Sequence, residues 1–155
     1  GEFKTFLKLS PPLRLEDDRL SLVQGIKENL IDVIVSDHIP EDEESKRLPF
    51  SQAATGAIGI ETLLPLALEM HHNESLPLNK IIETLTINPA KILQIKKGTL
   101  AKGSDGDICV LDLDAPWVVR AEKLKSKSKN TAIEGRKLQG KILMTFLNGE
   151  LVFNQ

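Results

Sequence analysis

The sequence predicts an α/β unit joined to a small antiparallel β unit. Three observations lead there. A short β-branched run, Ile31-Asp32-Val33-Ile34-Val35-Ser36, follows a helical pattern and ends directly on Asp37-His38. The middle stretch, 51–95, carries apolar residues at helical spacing. The last stretch, 98–155, breaks into short apolar β runs, two of them joined by Asn148-Gly149. A helix leading into a buried strand is the building pattern of α/β folds, and Asn-Gly between apolar β runs is the strongest short hairpin signal.

Taken in order, Phe3 to Leu9 alternates aromatic, Thr and Leu with Lys, which predicts a strand. Pro11-Pro12 stops it, because proline donates no ladder hydrogen bond. Asp17 and Asp18 suit the first turn of a helix, where the dipole favours acids. Leu20, Val23, Ile26 and Leu30 continue it at helical spacing. The run 31–36 fits a strand buried on both faces, as in a parallel sheet. Ile58, Leu63, Leu66, Ala67 and Met70 form the apolar face of one helix, in which Pro65 either makes a kink or fixes the first turn. Leu78 to Leu85 predicts a second helix, Asn88-Pro89-Ala90 opens a third short one, and Gly98 closes the helical stretch. Strands are expected over 107–113, 117–119, 142–147 and 150–153.

The chain has 155 residues, 41% hydrophobic and 27% charged, the composition of a folded rather than disordered chain. That length is one ordinary domain or a part of something larger; a complete (β/α)8 barrel takes roughly 200 to 250 residues. A net charge of -2 gives no global reason to expect nucleic acid or a membrane surface as a partner. The single cysteine, Cys109, excludes an intrachain disulfide framework. No apolar run approaches the ~18 residues of a membrane span. The N-terminus does not read as a signal peptide and lacks Met, so the chain is expected to begin inside a longer protein or after a processed tag, in a cytoplasmic, reducing compartment.

The one sharp chemical feature is Ser36-Asp37-His38-Ile39-Pro40. Ligands in α/β sheets bind beyond the carboxyl ends of the strands. An acid there is a metal ligand or a general base, or else a turn cap before Pro40 with a satisfied His38. His71-His72 cannot share one metal, since adjacent helical residues point about 100° apart; a solvated helix end is expected. Glu41 to Glu44 reads as a solvated acidic loop, and Lys123 to Lys129 as a solvated basic one. Cys109 reads as a small core residue and Trp117 as packing. Gly56-Ala57-Ile58-Gly59 before a helix lets backbone approach a ligand.

The ordered set of motifs resembles the dihydroorotase family of amidohydrolases. It runs through Ser10-Pro11-Pro12-Leu13-Arg14, Ile31 to Pro40, Lys46, Gly56 to Pro65, Asn88-Pro89-Ala90, Gly98 to Gly103 with Asp107, Lys129-Asn130-Thr131 and Gly135 to Gly140. The stretch Lys46 to Phe50 resembles an alphaproteobacterial branch. The resemblance implies the C-terminal part of a (β/α)8 barrel over 1–97 and the C-terminal share of a small β-sandwich over 98–155. It implies an enzyme that interconverts N-carbamoyl-L-aspartate and dihydroorotate in pyrimidine synthesis, with one or two Zn2+ ions whose other ligands lie outside this chain. Asp37 is implied as zinc ligand and proton shuttle. Ser10, Glu41, Thr55 and Gly56 are implied at the substrate. Further partners implied are the N-terminal part of the same protein, a second copy in a homodimer, and aspartate transcarbamoylase. The 155 residues alone are expected to be inactive.

Two positions depart from the family pattern. Ser10 stands where Asn is frequent, and Glu41 stands where a His usually holds the substrate carboxylate. An anion facing an anion is repulsive. These departures keep open a catalytically silent subunit that supports aspartate transcarbamoylase, beside a related cyclic amidase such as a hydantoinase or allantoinase.

Overall fold

A computed structural model describes residues 3–73 and 75–155. Its elements are α1 (Glu16–Lys27), α2 (Glu43–Arg47), α3 (Leu63–His72), α4 (Leu78–Leu85), α5 (Ile87–Ile92), β1 (Ile108–Val118), β2 (Lys137–Leu147) and β3 (Glu150–Asn154), with 3-10 turns at Thr5–Leu7 and Ala121–Lys123. Helices and sheet together make an α/β chain. No helix among the described residues is long and apolar enough to cross a membrane.

Local signals account for most of these elements. Glu16, Asp17 and Asp18 fill the first turn of α1, and the Asp18 carboxylate accepts from the Leu15 amide at 3.1 Å. Pro65 is the third residue of α3 and fixes the first turn without a kink, because that turn has no intrahelical use for its missing N–H. Asn88-Pro89-Ala90 lies in the first turn of α5. Asn148 and Gly149 have φ of 51° and 81°, the two positive values that a tight hairpin needs, and join β2 to β3. The three strands form one antiparallel sheet in the order β1-β2-β3. The expected strands 107–113 and 117–119 are one strand, β1, with a register shift between Asp112 and Pro116.

Two small cores meet at α3. Ile26, Ala67, Leu76 and Ile81 form one, with Ile31, Ile34 and Met70 packed against it. Ile58, Val119, Leu124 and Leu138 form the other, with Leu66, Trp117 and Ile133. Trp117 thus packs as expected, and its indole N–H donates to the Gly140 carbonyl at 3.1 Å. Leu68, with no exposed surface, lies between α3 and β2: a Cβ on Gly140 would come within 2.6 Å of its Cδ1.

Several expectations need correction. Phe3 to Leu9 is not a strand; a 3-10 turn at Thr5–Leu7 interrupts it. Residues 31–36 form no strand, and Val35 is 70% exposed rather than buried. A strand needs a neighbour to share its ladder, and among the described residues this segment has only the isolated parallel bridge His38–Ala57 near its end. Its start is held instead by helices: the Ile34 amide donates to the Thr84 carbonyl at 3.2 Å, and Asn88 Nδ2 donates to the Asp32 carbonyl at 2.9 Å. Ile58 precedes α3 and pairs with Thr131. Leu30 lies beyond α1 and is exposed. Cys109 is exposed on β1, since that part of the sheet face is uncovered. His71 and His72 are half-buried, and His72 Nε2 is buried without a partner. The basic stretch 123–129 is docked rather than free: Leu124 is buried, and the Glu61 carboxylate accepts from the amides of Lys125 and Ser126 at 2.9 and 3.0 Å.

Candidate functional site

Asp37 follows the extended segment 31–36 with φ of 42°, in the left-handed region that Asp tolerates better than most residues. Such backbone positions concentrate at functional sites. Its side chain is exposed and lines a cavity of about 680 Å3. Ser10 and Gly56 line the same cavity, with Ser36, Gly59 and Arg136 among the other walls. Three of the sequence-derived site residues therefore meet on one concave surface. Glu41 and Thr55 are half-buried and are not among its walls.

His38 turns away from that cavity. Its Nδ1 accepts from the Gly59 amide at 3.0 Å and lies 3.4 Å from the Ile60 amide. An accepting Nδ1 leaves a ring proton to Nε2. Of the two readings of Asp37-His38, the His half is the satisfied one: it fastens the 36–39 segment to the 57–60 segment. The two glycines of the 56–59 run serve the same approach. A Cβ at Gly56, where φ is 132°, would meet Ile39 Cγ2 at 2.5 Å, and one at Gly59 would meet the Ser36 carbonyl at 2.8 Å.

Two lysines hold the loop that leads into Gly56. Lys8 Nζ donates to the carbonyls of Phe50 and Ala53 at 2.8 and 2.7 Å. Lys46, on α2, is fully buried, and its Nζ donates to Lys8, Ala54 and Gly56 carbonyls at 3.2, 2.9 and 2.9 Å. Burial pushes the Lys46 pKa down, the charge of Glu41 pulls it up, and the charge of Lys8 pushes it down. Its neighbours in sequence give Lys46 no evident role. Flanked by Glu43, Glu44 and Arg47, it reads as one more charge on a solvated helix. Only its place in the ordered motif set, like that of Asn130, signalled something more.

Arg136 on the cavity wall is held by Glu69 of α3 at 2.9 and 2.6 Å. Among the described residues, no group of three or more His, Cys, Asp or Glu side chains gathers where a metal could be held. Zinc takes three or four protein ligands, so Asp37 offers one carboxylate and these residues do not by themselves fit a zinc ion.

The model of the amidohydrolase family matches residues 8–152. The chain is 44% identical over 146 residues to a dihydroorotase of Ehrlichia chaffeensis, covering 94% of this chain and 33% of that protein. It is 39% identical to a dihydroorotase of Acetivibrio thermocellus, covering 99% of this chain and 36% of that protein. Among solved structures, it superposes on L-hydantoinase of Arthrobacter aurescens with a TM-score of 0.87 at 33% identity, over 98% of this chain and 35% of that one. A D-hydantoinase structure at 24% identity gives a TM-score of 0.89 and shares the fold. The chain spans about a third of the length of these relatives. With the family model matched over nearly its whole length, the chain belongs to the amidohydrolase family.

Proposed function

We propose that the chain is the C-terminal portion of a dihydroorotase, which interconverts N-carbamoyl-L-aspartate and (S)-dihydroorotate in the cytoplasm. Residues 1–97 are the last part of its barrel and 98–155 its share of a small β-domain. The observation that supports this reading most is the meeting of Asp37, Ser10 and Gly56 on one cavity in a chain so similar to dihydroorotases. The exposed apolar side chains of Leu7, Val35, Val110 and Met144 also support it, because they are faces that further chain would cover.

In this reading Asp37 is the acid–base group. In the hydrolytic direction the water oxygen bonds to the ring carbonyl carbon, and Asp37 takes a proton from it. The ring C–N bond then breaks, and Asp37 returns the proton to the departing nitrogen. Its exposed carboxylate at the end of the 31–36 segment leaves it room to reach both atoms. Ser10 and the Gly56 backbone orient the ring, with Thr55 and Glu41 next to them in sequence or across the loop. Asp37 would be the one ligand that these residues offer to a zinc ion, with the remaining ligands supplied from outside them; such an ion would supply charge stabilisation and a more acidic water.

Turnover by the full-length protein tests the reading. Carbamoyl-aspartate and dihydroorotate are expected to interconvert, and hydantoins and allantoin to react far more slowly. A protein that prefers hydantoin is a related cyclic amidase. A folded protein inactive on all of them is the silent subunit that Glu41 and Ser10 favour, and binding to aspartate transcarbamoylase would then be the measurement that identifies it.

A further inference from the structure

We propose that Lys46 and Asn130 are positioning residues: together they set the Gly56 peptide, and through it the three backbone segments that carry Ser10, Asp37 to Glu41, and Thr55. This deepens the dihydroorotase reading and rests on it.

The geometry is a continuous buried network. The Gly56 amide donates to the Lys8 carbonyl at 3.0 Å. The Gly56 carbonyl accepts from Lys46 Nζ at 2.9 Å and from Asn130 Nδ2 at 3.3 Å. Asn130 Nδ2 also donates to the Ile39 carbonyl at 3.0 Å. Its Oδ1 lies 2.9 Å from the Ser128 hydroxyl, which is also within reach of the Glu41 carbonyl. The Asn130 carbonyl in turn accepts from the Ile58 amide at 3.3 Å. Both Lys46 and Asn130 have no exposed surface.

Chemistry separates this arrangement from ordinary packing. An ammonium has three N–H donors and no acceptor, and Lys46 spends all three on carbonyls from two segments, 8 and 54–56. The ion pairs among the described residues do not include Lys46. A buried ammonium that feels the Glu41 charge but has no carboxylate at ion-pair distance is costly, and an apolar side chain of similar volume would fill the same space more cheaply. What an apolar side chain cannot do is fix the direction of three carbonyls. Asn130 adds the cross-link that Lys46 lacks, from Gly56 to the segment just past Asp37. The resulting tie sets the backbone that holds the substrate ring beside that carboxylate, so its loss is felt as weaker substrate binding rather than as a slower proton transfer.

The test is made on the full-length protein with Asn130→Asp, which keeps the side chain's shape and removes its two donors, and with Lys46→Met. Both are expected to raise KM for carbamoyl-aspartate about tenfold, with kcat per folded site changed less than about twofold. Amide hydrogen exchange at Gly56 and Ile58 is expected to quicken while that at Leu68 in α3 stays slow. A merely structural role predicts the opposite split: a lower melting temperature and fewer active molecules, with KM unchanged and exchange raised everywhere. That result overturns the proposal. Should Lys46→Met fail to fold, Asn130→Asp decides alone. If the unsubstituted protein turns over neither substrate, the dihydroorotase reading falls, and exchange at Gly56 and Ile58 then decides whether the two residues set this peptide.

Discussion

Asp37 and Gly56 are the two residues whose backbone conformations shape the cavity, and each carries a distinct prediction. Gly56 holds φ of 132° and its Cβ position is occupied by Ile39. Gly56→Ala is expected to cost about 1–3 kcal/mol, from strain and overpacking together. Urea unfolding of the full-length variant would measure it, and an unchanged midpoint would contradict the close approach of the two segments. Glu41 is a second case. If the pocket is inherited from the family, Glu41→His removes a like charge from the substrate carboxylate. KM for carbamoyl-aspartate is expected to fall several-fold, because even a partly screened unit charge is worth about 1 kcal/mol at close range. The link to Ser128 uses the Glu41 backbone and survives the change. An equal or higher KM would place the substrate carboxylate elsewhere.

At the scale of elements, the hairpin turn is tied by charge as well as by its Asn-Gly dipeptide. The Asp107 carboxylate accepts from the Asn148 amide at 2.8 Å and pairs with Lys97 at 2.5 Å. The Asn148 amide, then Lys97, hold its pKa below the usual carboxylate range. A depressed folded-state pKa contributes stability that is complete above the unfolded value and lost as pH falls through the folded one. The hairpin is therefore expected to loosen in acid, below the ordinary aspartate range, and Asp107→Asn to remove that dependence. Amide exchange at Asn148 across an acid series checks it. The α3–β2 contact is a second element-scale test: Leu68→Ala is expected to cost about 2–5 kcal/mol of unfolding free energy, as fully buried leucines do.

Elements whose signals are local were legible in the sequence. The helix Leu78–Leu85 and the Asn148-Gly149 hairpin stand where the residues predicted them. The segments 3–9 and 31–36 did not form strands, because strand identity depends on a neighbour and not on β-branched composition alone. The candidate site was legible in part. Asp37, Ser10 and Gly56 could be named from the motif order, and the fold brings them to one cavity. Lys46 and Asn130 could not be given roles, since a charged residue between acids and a polar residue in a basic stretch become buried only through contacts across 38 and 91 residues of sequence.

At the scale of the whole molecule, large exposed apolar side chains outnumber the buried ones among the described residues. Two small cores sharing α3 leave the 31–36 segment and much of the three-stranded sheet open on one side. That balance, and a length about a third of the matched relatives, fit the reading of this chain as one portion of a larger amidohydrolase. Under the proposed function Asp37 is the acid–base group. The most direct measurement is the rate of carbamoyl-aspartate cyclisation by the full-length protein and by its Asp37→Ala variant, with circular dichroism to verify folding. Loss of a proton-transferring side chain is expected to cut kcat by about 10²- to 10⁴-fold or more. A folded Asp37→Ala protein that turns over at the parent rate would contradict the account.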